Sequence, residues 1–191
     1  MPYDETDLAA FAREHPRIIA PVAVRGPRLT FRVAQPSDAE FILSLRLDPG
    51  KNQYLSATPD DVEKQRAFLK SLPAGQCYFI IEAERLIGTV RLYDQRGTSF
   101  SWGSWILTND APKSSAVESM LMVYRVGLDL GFTAAHFDVR KANTKVWQFH
   151  ERCGAERTSE DEQDIHYSIN KGAILRLLAR YESRGQVAID W

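Results

Sequence analysis

The strongest constraint in this sequence is a change of period midway along the chain. Three strand-like runs, 77–83, 86–93 and 100–107, follow one another across links too short to hold a helix. The links carry the charged Glu84-Arg85 pair and Gly97. Strands joined this closely pair antiparallel, so the three read as a meander. After Leu107 the period turns helical: Val117, Met120, Leu121, Tyr124 and Leu128 share one stripe, which Gly131 stops. A short strand over 134–139 follows. A second helix then places Val146, Phe149, His150 and Cys153 on one face, with Asn143 at its start and Gly154 at its end. A strand over 165–169 comes next. A meander that runs into strand, helix, strand, helix, strand implies a mixed sheet with helices on both faces.

Upstream, the run 29–33 alternates apolar and polar residues. Ser37 and Glu40 have capping-box spacing ahead of Phe41, Ile42 and Leu45, and Thr58-Pro59 reads as the start of a helix carrying Val62, Phe68, Leu69 and Leu72. Ser115 and Glu118 repeat the capping-box spacing. The expected order is β-α-α-β-β-β-α-β-α-β, an α/β fold of the α+β mixed-sheet kind. Residues 1–28 read as an N-terminal extension with a helix over 7–15, and residues 29–191 as a single domain closed by a helix over 172–182.

Composition narrows the partners. With 24 Lys+Arg against 25 Asp+Glu the chain carries a net charge of −1, which argues against a nucleic-acid binder. No apolar run reaches the ~18 residues a membrane span needs. The opening MPYDETDLAAFAREH is acidic, so no secretory signal is expected, and the lone cysteines Cys77 and Cys153 suit a reducing, cytoplasmic setting. The four histidines show no metal-ligand spacing with the cysteines, and no Gly-x-Ser-x-Gly elbow is present. A homodimer through the sheet ends is left open.

Three segments carry a family likeness. The first is Leu86-Ile87-Gly88-Thr89-Val90-Arg91-Leu92-Tyr93. The second is Trp102-Gly103-Ser104-Trp105-Ile106-Leu107, followed by Ala116-Val117-Glu118. The third is Asp138-Val139-Arg140-Lys141-Ala142-Asn143 with Phe149-His150-Glu151-Arg152-Cys153-Gly154-Ala155. Together they resemble the GNAT superfamily of acetyl-CoA-dependent N-acetyltransferases over roughly residues 29–170. The resemblance implies acetyl-CoA as co-substrate and no metal. It also implies a pyrophosphate cradle of backbone amides before the third helix, around Lys113, Ser114, Ser115 and Ala116. The family's Gln/Arg-x-x-Gly-x-Gly/Ala falls here on Ala111, Ser114 and Ala116; only Ala116 conforms, and Pro112 removes one donor. Trp105, Ile106 and Leu107 would pair with pantetheine as an added strand. Asn143, Val146 and Phe149 would line the CoA arm, and Arg140, Lys141 and Lys145 its 3′-phosphate.

Acyl transfer to an amine needs a neutral amine, an oxyanion donor and a proton for the leaving thiolate. By resemblance the acid is a tyrosine seven residues after the Asn; here that position is His150, whose imidazolium could donate to sulfur. Many relatives carry a Glu base at the position of Ser101; a water chain, Asp94 or His136 are the alternatives. His136 and Asp138 share a strand face, as a small polar network near the acceptor or an ordinary cross-strand pair. Arg46, Tyr54, Arg91, Tyr93 and Trp102 are the candidate acceptor residues, with aromatics to stack on sugars or bases and arginines to hold diphosphate. The 149–155 segment and the 46–54 loop look closest to members that acetylate nucleotide-linked amino sugars. A small-molecule amine is therefore the expected acceptor. Protein N-terminal acetylation and a non-catalytic CoA-binding module are the alternatives.

Overall fold

A computed structural model describes residues 15–191, so the helix expected over 7–15 falls outside the described residues apart from His15. The strands are β1 (Ala23–Arg25), β2 (Thr30–Val33), β3 (Cys77–Glu82), β4 (Leu86–Arg96), β5 (Ser99–Leu107), β6 (Ala134–Arg140), β7 (Glu156–Glu160), β8 (Asp164–Asn170) and β9 (Ala188–Asp190). The helices are α1 (Ala39–Arg46), α2 (Val62–Lys70), α3 (Ser115–Asp129), α4 (Thr144–Arg152) and α5 (Lys171–Arg180). All nine strands join one sheet in the order β7-β8-β6-β5-β4-β3-β2-β1-β9.

Strand β3 shows why the sheet is covered on both sides. Its sequence, Cys-Tyr-Phe-Ile-Ile-Glu, is apolar at both parities. Tyr78 and Ile80 pack under α1 and α2 with Ala39, Ile42 and Leu69. Cys77, Phe79 and Ile81 join the larger core with Met120 and Tyr124 of α3 and Ile174 and Leu177 of α5. A strand buried on both faces reads as a continuous run, and each such side chain contributes about 1.5–3 kcal/mol of burial. Gly131 and Gly154 end α3 and α4 with φ of 89° and 94°, a conformation that costs glycine little.

The edges differ from the expected pattern. Strand β1 lies within residues 1–28, which the sequence set aside as an extension; it pairs with β2 and β9, and Ile18 and Val24 are core residues. Strands β7 and β9 were not anticipated. β7 reads Glu-Arg-Thr-Ser-Glu and is exposed throughout, so it carries no apolar alternation. The helix caps also move. Asp38, not Ser37, closes the single 3-10 turn 36–38 that leads into α1, by accepting from the Gln35 N–H at 2.7 Å. Asp61, not Thr58, caps α2 by accepting from the Lys64 N–H at 3.0 Å. Glu118 makes no capping box with Ser115. It accepts from the N–H groups of Arg28 and Leu29 at 2.7 and 2.8 Å and ties the β1–β2 turn to α3. Helix α5 starts at Lys171, with the Asn170 side chain capping the Ala173 N–H at 2.9 Å.

The feature that positions the site is a fork. β5 and β6 are parallel and pair only at Ser99↔Ala134, Phe100↔Ala135 and Ser101↔His136. Beyond these rungs β5 runs on to Leu107 and β6 to Arg140 without pairing, so the sheet opens into a V. On the other side of β5 the register with β4 slips between Thr89↔Ile106 and Arg91↔Gly103. The slip sets Ser104 and Trp105 opposite one residue, a β-bulge. Ser104 takes φ 45°, a left-handed conformation that costs a non-glycine residue about 1–3 kcal/mol. Thr89 Oγ1 donates to the Ser104 carbonyl at 2.8 Å and holds the bulge.

Candidate active site

A cleft of about 590 Å³ opens at the V. Its lining brings together Arg46, Tyr54, Arg91, Tyr93, Trp102, Trp105, Asn143, Val146 and His150 from the sequence-derived set. Ile106, Leu107, Lys113, Ser114, Ser115, Ala116 and Phe149 lie outside that lining.

On the α1–α2 face, β4 register puts Arg91 beside Gly103 and Tyr93 beside Ser101. The Arg91 guanidinium sits between the rings of Phe68 and Tyr93, 5.2 and 5.1 Å from their centroids, and donates to Gln76. Its Nε is buried without a hydrogen-bond partner. Arg46 is oriented from α1 by the Thr58 hydroxyl at 2.7 Å and the Ser56 carbonyl at 3.3 Å. Among the described residues neither arginine pairs with a carboxylate. Burial holds the Arg91 guanidinium below its usual value, and the nearby Arg46 pushes the same way. Arginine stays charged regardless, so the cleft holds two adjacent uncompensated cations. Gly103 is required here by close approach: a Cβ on it would stand 2.8 Å from the Tyr93 hydroxyl.

On the opposite face, Trp102 pairs with Leu92 in register and so points away from Arg91. It was expected among the acceptor contacts with Arg91; it belongs instead to an aromatic nest around His150. The His150 ring lies 4.4 Å from Phe137, 5.4 Å from Trp102, 5.5 Å from Phe149 and 5.8 Å from Trp105, centroid to centroid. Only 3% of His150 is exposed, and its Nδ1 has no partner. Burial lowers its pKa to about 3, so the imidazole is neutral at working pH. The imidazolium expected from the sequence is therefore not the form this nest favours. A neutral ring keeps one N–H donor and one lone pair.

The N-terminus of α3 has the character expected of an anion site. The Ser115 N–H donates to the Pro112 carbonyl at 2.8 Å and the Glu118 N–H to the Ser114 carbonyl at 3.0 Å. Among the described residues, the first-turn amides of Ala116 and Val117 meet no acceptor. The Ser115 hydroxyl is buried and has no hydrogen-bond partner among the described residues. Asn143 starts α4, yet its side chain makes no capping bond; the backbone carbonyl alone accepts, from Val146 at 3.0 Å and Trp147 at 3.2 Å. The Asn143 amide is thus free on the cleft wall. Free amides and the slot between β5 and β6 together suit CoA.

Several expected contacts are spoken for. Arg140 donates to Asp164 at 2.8 Å and Lys141 to Glu160 at 3.2 Å, so neither is a spare cation for a 3′-phosphate. Asp94 holds Arg96 at 2.6 Å and His136 at 3.4 Å, while His136 Nδ1 meets the Ser99 hydroxyl at 2.8 Å. Neither Asp94 nor His136 lines the cleft; His136 makes the cross-strand contacts of an ordinary sheet residue. The sequence did not single out Phe68, which brings aromatic surface to the cleft, nor the buried Tyr78 beneath it, nor Asp164. Phe68 stood only as a helix-face residue, and no local pattern distinguishes it.

The family model described as acetyltransferase (GNAT) domain matches residues 28–156. The chain belongs to the GNAT acetyltransferase family. A solved structure described as apo FdhC, a nucleotide-linked sugar GNAT, is 35% identical over 86% of this chain and 98% of that one, with a TM-score of 0.75. A GCN5-related N-acetyltransferase from Brucella melitensis shares the GNAT fold at 12% identity, with 88% of each chain covered and a TM-score of 0.74. So does a spermidine N-acetyltransferase from Vibrio cholerae in complex with CoA and spermine, at 18% identity over 78% of this GNAT and 99% of that chain, TM-score 0.68. No curated protein matches the chain. Among the described residues of this GNAT, no helix is long and apolar enough to cross a membrane.

Proposed function

We propose that this GNAT transfers an acetyl group from acetyl-CoA to the primary amine of a nucleotide-linked amino sugar, by direct attack with both substrates bound. The carrying observation is the Arg46–Arg91 pair. Two guanidinium groups without carboxylate partners, one half-buried between aromatic rings, invite a polyanionic ligand such as a diphosphate. Tyr54 and Phe68 supply aromatic surface on which a base or sugar can stack. Likeness to a nucleotide-linked sugar GNAT points the same way.

In this reading acetyl-CoA supplies the activated thioester. The free amides at the start of α3, with Lys113, Ser114, Ser115 and Ala116, bind its diphosphate. The bulged edge Trp105-Ile106-Leu107 pairs with its pantetheine arm, while Asn143, Val146 and Phe149 wall the slot. His150 serves as a neutral N–H donor beside the reacting atoms.

A CoA-release assay across nucleoside-diphosphate amino sugars, diamines and short peptides tests the acceptor class. The nucleotide sugars are expected to give the highest kcat/KM; preference for a diamine or a peptide N-terminus overturns it. Calorimetry with acetyl-CoA tests the cofactor half, and absence of binding at millimolar concentration would leave only a non-catalytic module.

A further inference from the structure

On the transferase reading above, we infer that Asp138 is the general base that takes the proton from the acceptor's ammonium group. The usual carboxylate position on β5 is Ser101, and the alternatives Asp94 and His136 lie outside the cleft. Three carboxylates do line the cleft: Asp61, Asp138 and Asp164. Asp61 caps α2 and faces the Lys64 ammonium at 3.6 Å. Asp164 is held by Arg140 at 2.8 Å. Asp138 alone is exposed and has no hydrogen bond or ion pair among the described residues. An unpaired carboxylate in a cleft wall is free to meet a cation from the ligand.

Its place in the fork is the second argument. The last rung between β5 and β6 is Ser101↔His136, and Asp138 is two residues further along β6, on the same face as His136. It therefore stands just past the apex of the V, on the wall opposite the strand that carries Ser101. Tyr93 lies beside Ser101 in the β4–β5 register and close enough to feel the Asp138 charge. The base has in effect moved from one arm of the fork to the other. Groups facing it are Tyr93 from β4, Ser101 from β5, His136 and Arg140 from β6, and His166 and Asp164 from β8; His166 is directly opposite in register and engaged with Asp161 at 3.0 Å. Lys64 and Arg46 face the cleft from the helices.

The step balances simply. The ammonium gives one proton to the Asp138 carboxylate and becomes a neutral amine. Its nitrogen attacks the thioester carbon, the C–N bond forms, and the C–S bond breaks with its electron pair on sulfur. The second nitrogen proton goes to the thiolate, and Asp138 returns its proton to solvent. The net products are the amide, free CoA and one proton.

The test compares wild type, Asp138→Asn and Asp138→Glu on a nucleoside-diphosphate amino sugar, with kcat/KM followed from pH 6 to 10. Asp138→Asn is expected to lose about 10²- to 10⁴-fold near neutrality. Its deficit should shrink about tenfold per pH unit up to the amine's own pKa, because solution then supplies the neutral amine. Asp138→Glu should keep the wild-type profile shape. Acetyl-CoA affinity and Tm should be unchanged in both. A deficit constant across pH, or none, overturns the base assignment while leaving the transferase intact. Wild type that acetylates no amine in the panel removes both.

Discussion

His150 shows how far one buried ring can shape the whole pH response. Its neutral native form binds no proton until pH falls to about 3, whereas in the unfolded chain an ordinary histidine protonates near 6.5. Unfolding therefore takes up a proton below pH 6.5, and stability falls as pH drops through that window. At pH 5 the loss is about 2 kcal/mol. Thermal melts at pH 7 and pH 5 should show this extra slope in wild type and not in His150→Phe, which keeps an aromatic ring in the nest. Turnover by His150→Phe should fall while acetyl-CoA affinity holds; unchanged turnover removes the donor role. Arg91 makes a different kind of claim. Arg91→Met keeps an apolar stem between Phe68 and Tyr93 but removes the charge. KM for a diphosphate-bearing acceptor should rise about 10- to 100-fold, as a charge-assisted bond of about 1.5–3 kcal/mol is lost. KM for an uncharged amine should hardly change. Equal effects on both acceptors would mean that Arg91 only supports packing.

Among the elements, α3 depends on a contact that no local pattern announces. Glu118 accepts from two backbone N–H groups of the β1–β2 turn, about 90 residues away in the chain. Glu118→Ala should destabilise the protein by about 2–4 kcal/mol, since a bond to a carboxylate is worth about 1.5–3 and the two share one oxygen and so add incompletely. Glu118→Gln should cost less than half of that in a denaturant titration. From sequence the same glutamate looks like half of a capping box with Ser115, because S-x-x-E spacing is identical whether the carboxylate turns back on its own helix or reaches outward. The six strands from β2 to β8 other than β7, and all five helices, were legible because their apolar faces repeat at 2 or 3.6 residues or, in β3, run unbroken between turn signals. β1 and β9 span three residues each and β7 has no apolar face, so none of the three offers a period to read. The candidate site was legible where a motif fixes position, as at Asn143 and His150. It was not where tertiary pairing decides. Arg140 and Lys141 look like a basic run until β7 and β8 bring carboxylates against them, and Asp138 reads equally as part of a polar network near the acceptor or of a cross-strand pair until the fork exposes it.

For the molecule as a whole, the sheet is a partition with a slot in it. Arg46, Arg91 and Tyr93 stand on the α1–α2 side, while His150 and Trp102 stand on the side of α3 and α4. On the proposed reading an acceptor and a CoA thioester approach from the two sides and meet at the V, which calls for both to be bound before transfer. The alternative is a covalent relay, in which a protein nucleophile first takes the acyl group. The obvious candidates are the two thiols, and neither is suited. Burial raises Cys77 to about 12, and no face of it reaches the cleft. Burial also raises Cys153, at the end of α4 and outside the cleft lining. A thiol held in its neutral form is a poor nucleophile at pH 7. Initial rates with both substrates varied should then give intersecting double-reciprocal lines, and Cys77→Ala with Cys153→Ser should transfer acetyl groups at the wild-type rate within about threefold. Intact-mass measurement after acetyl-CoA alone should find the protein unmodified. Parallel lines, or an added acetyl group on either cysteine that is discharged by the amine, would mean that the two sides of the partition are used in turn rather than together.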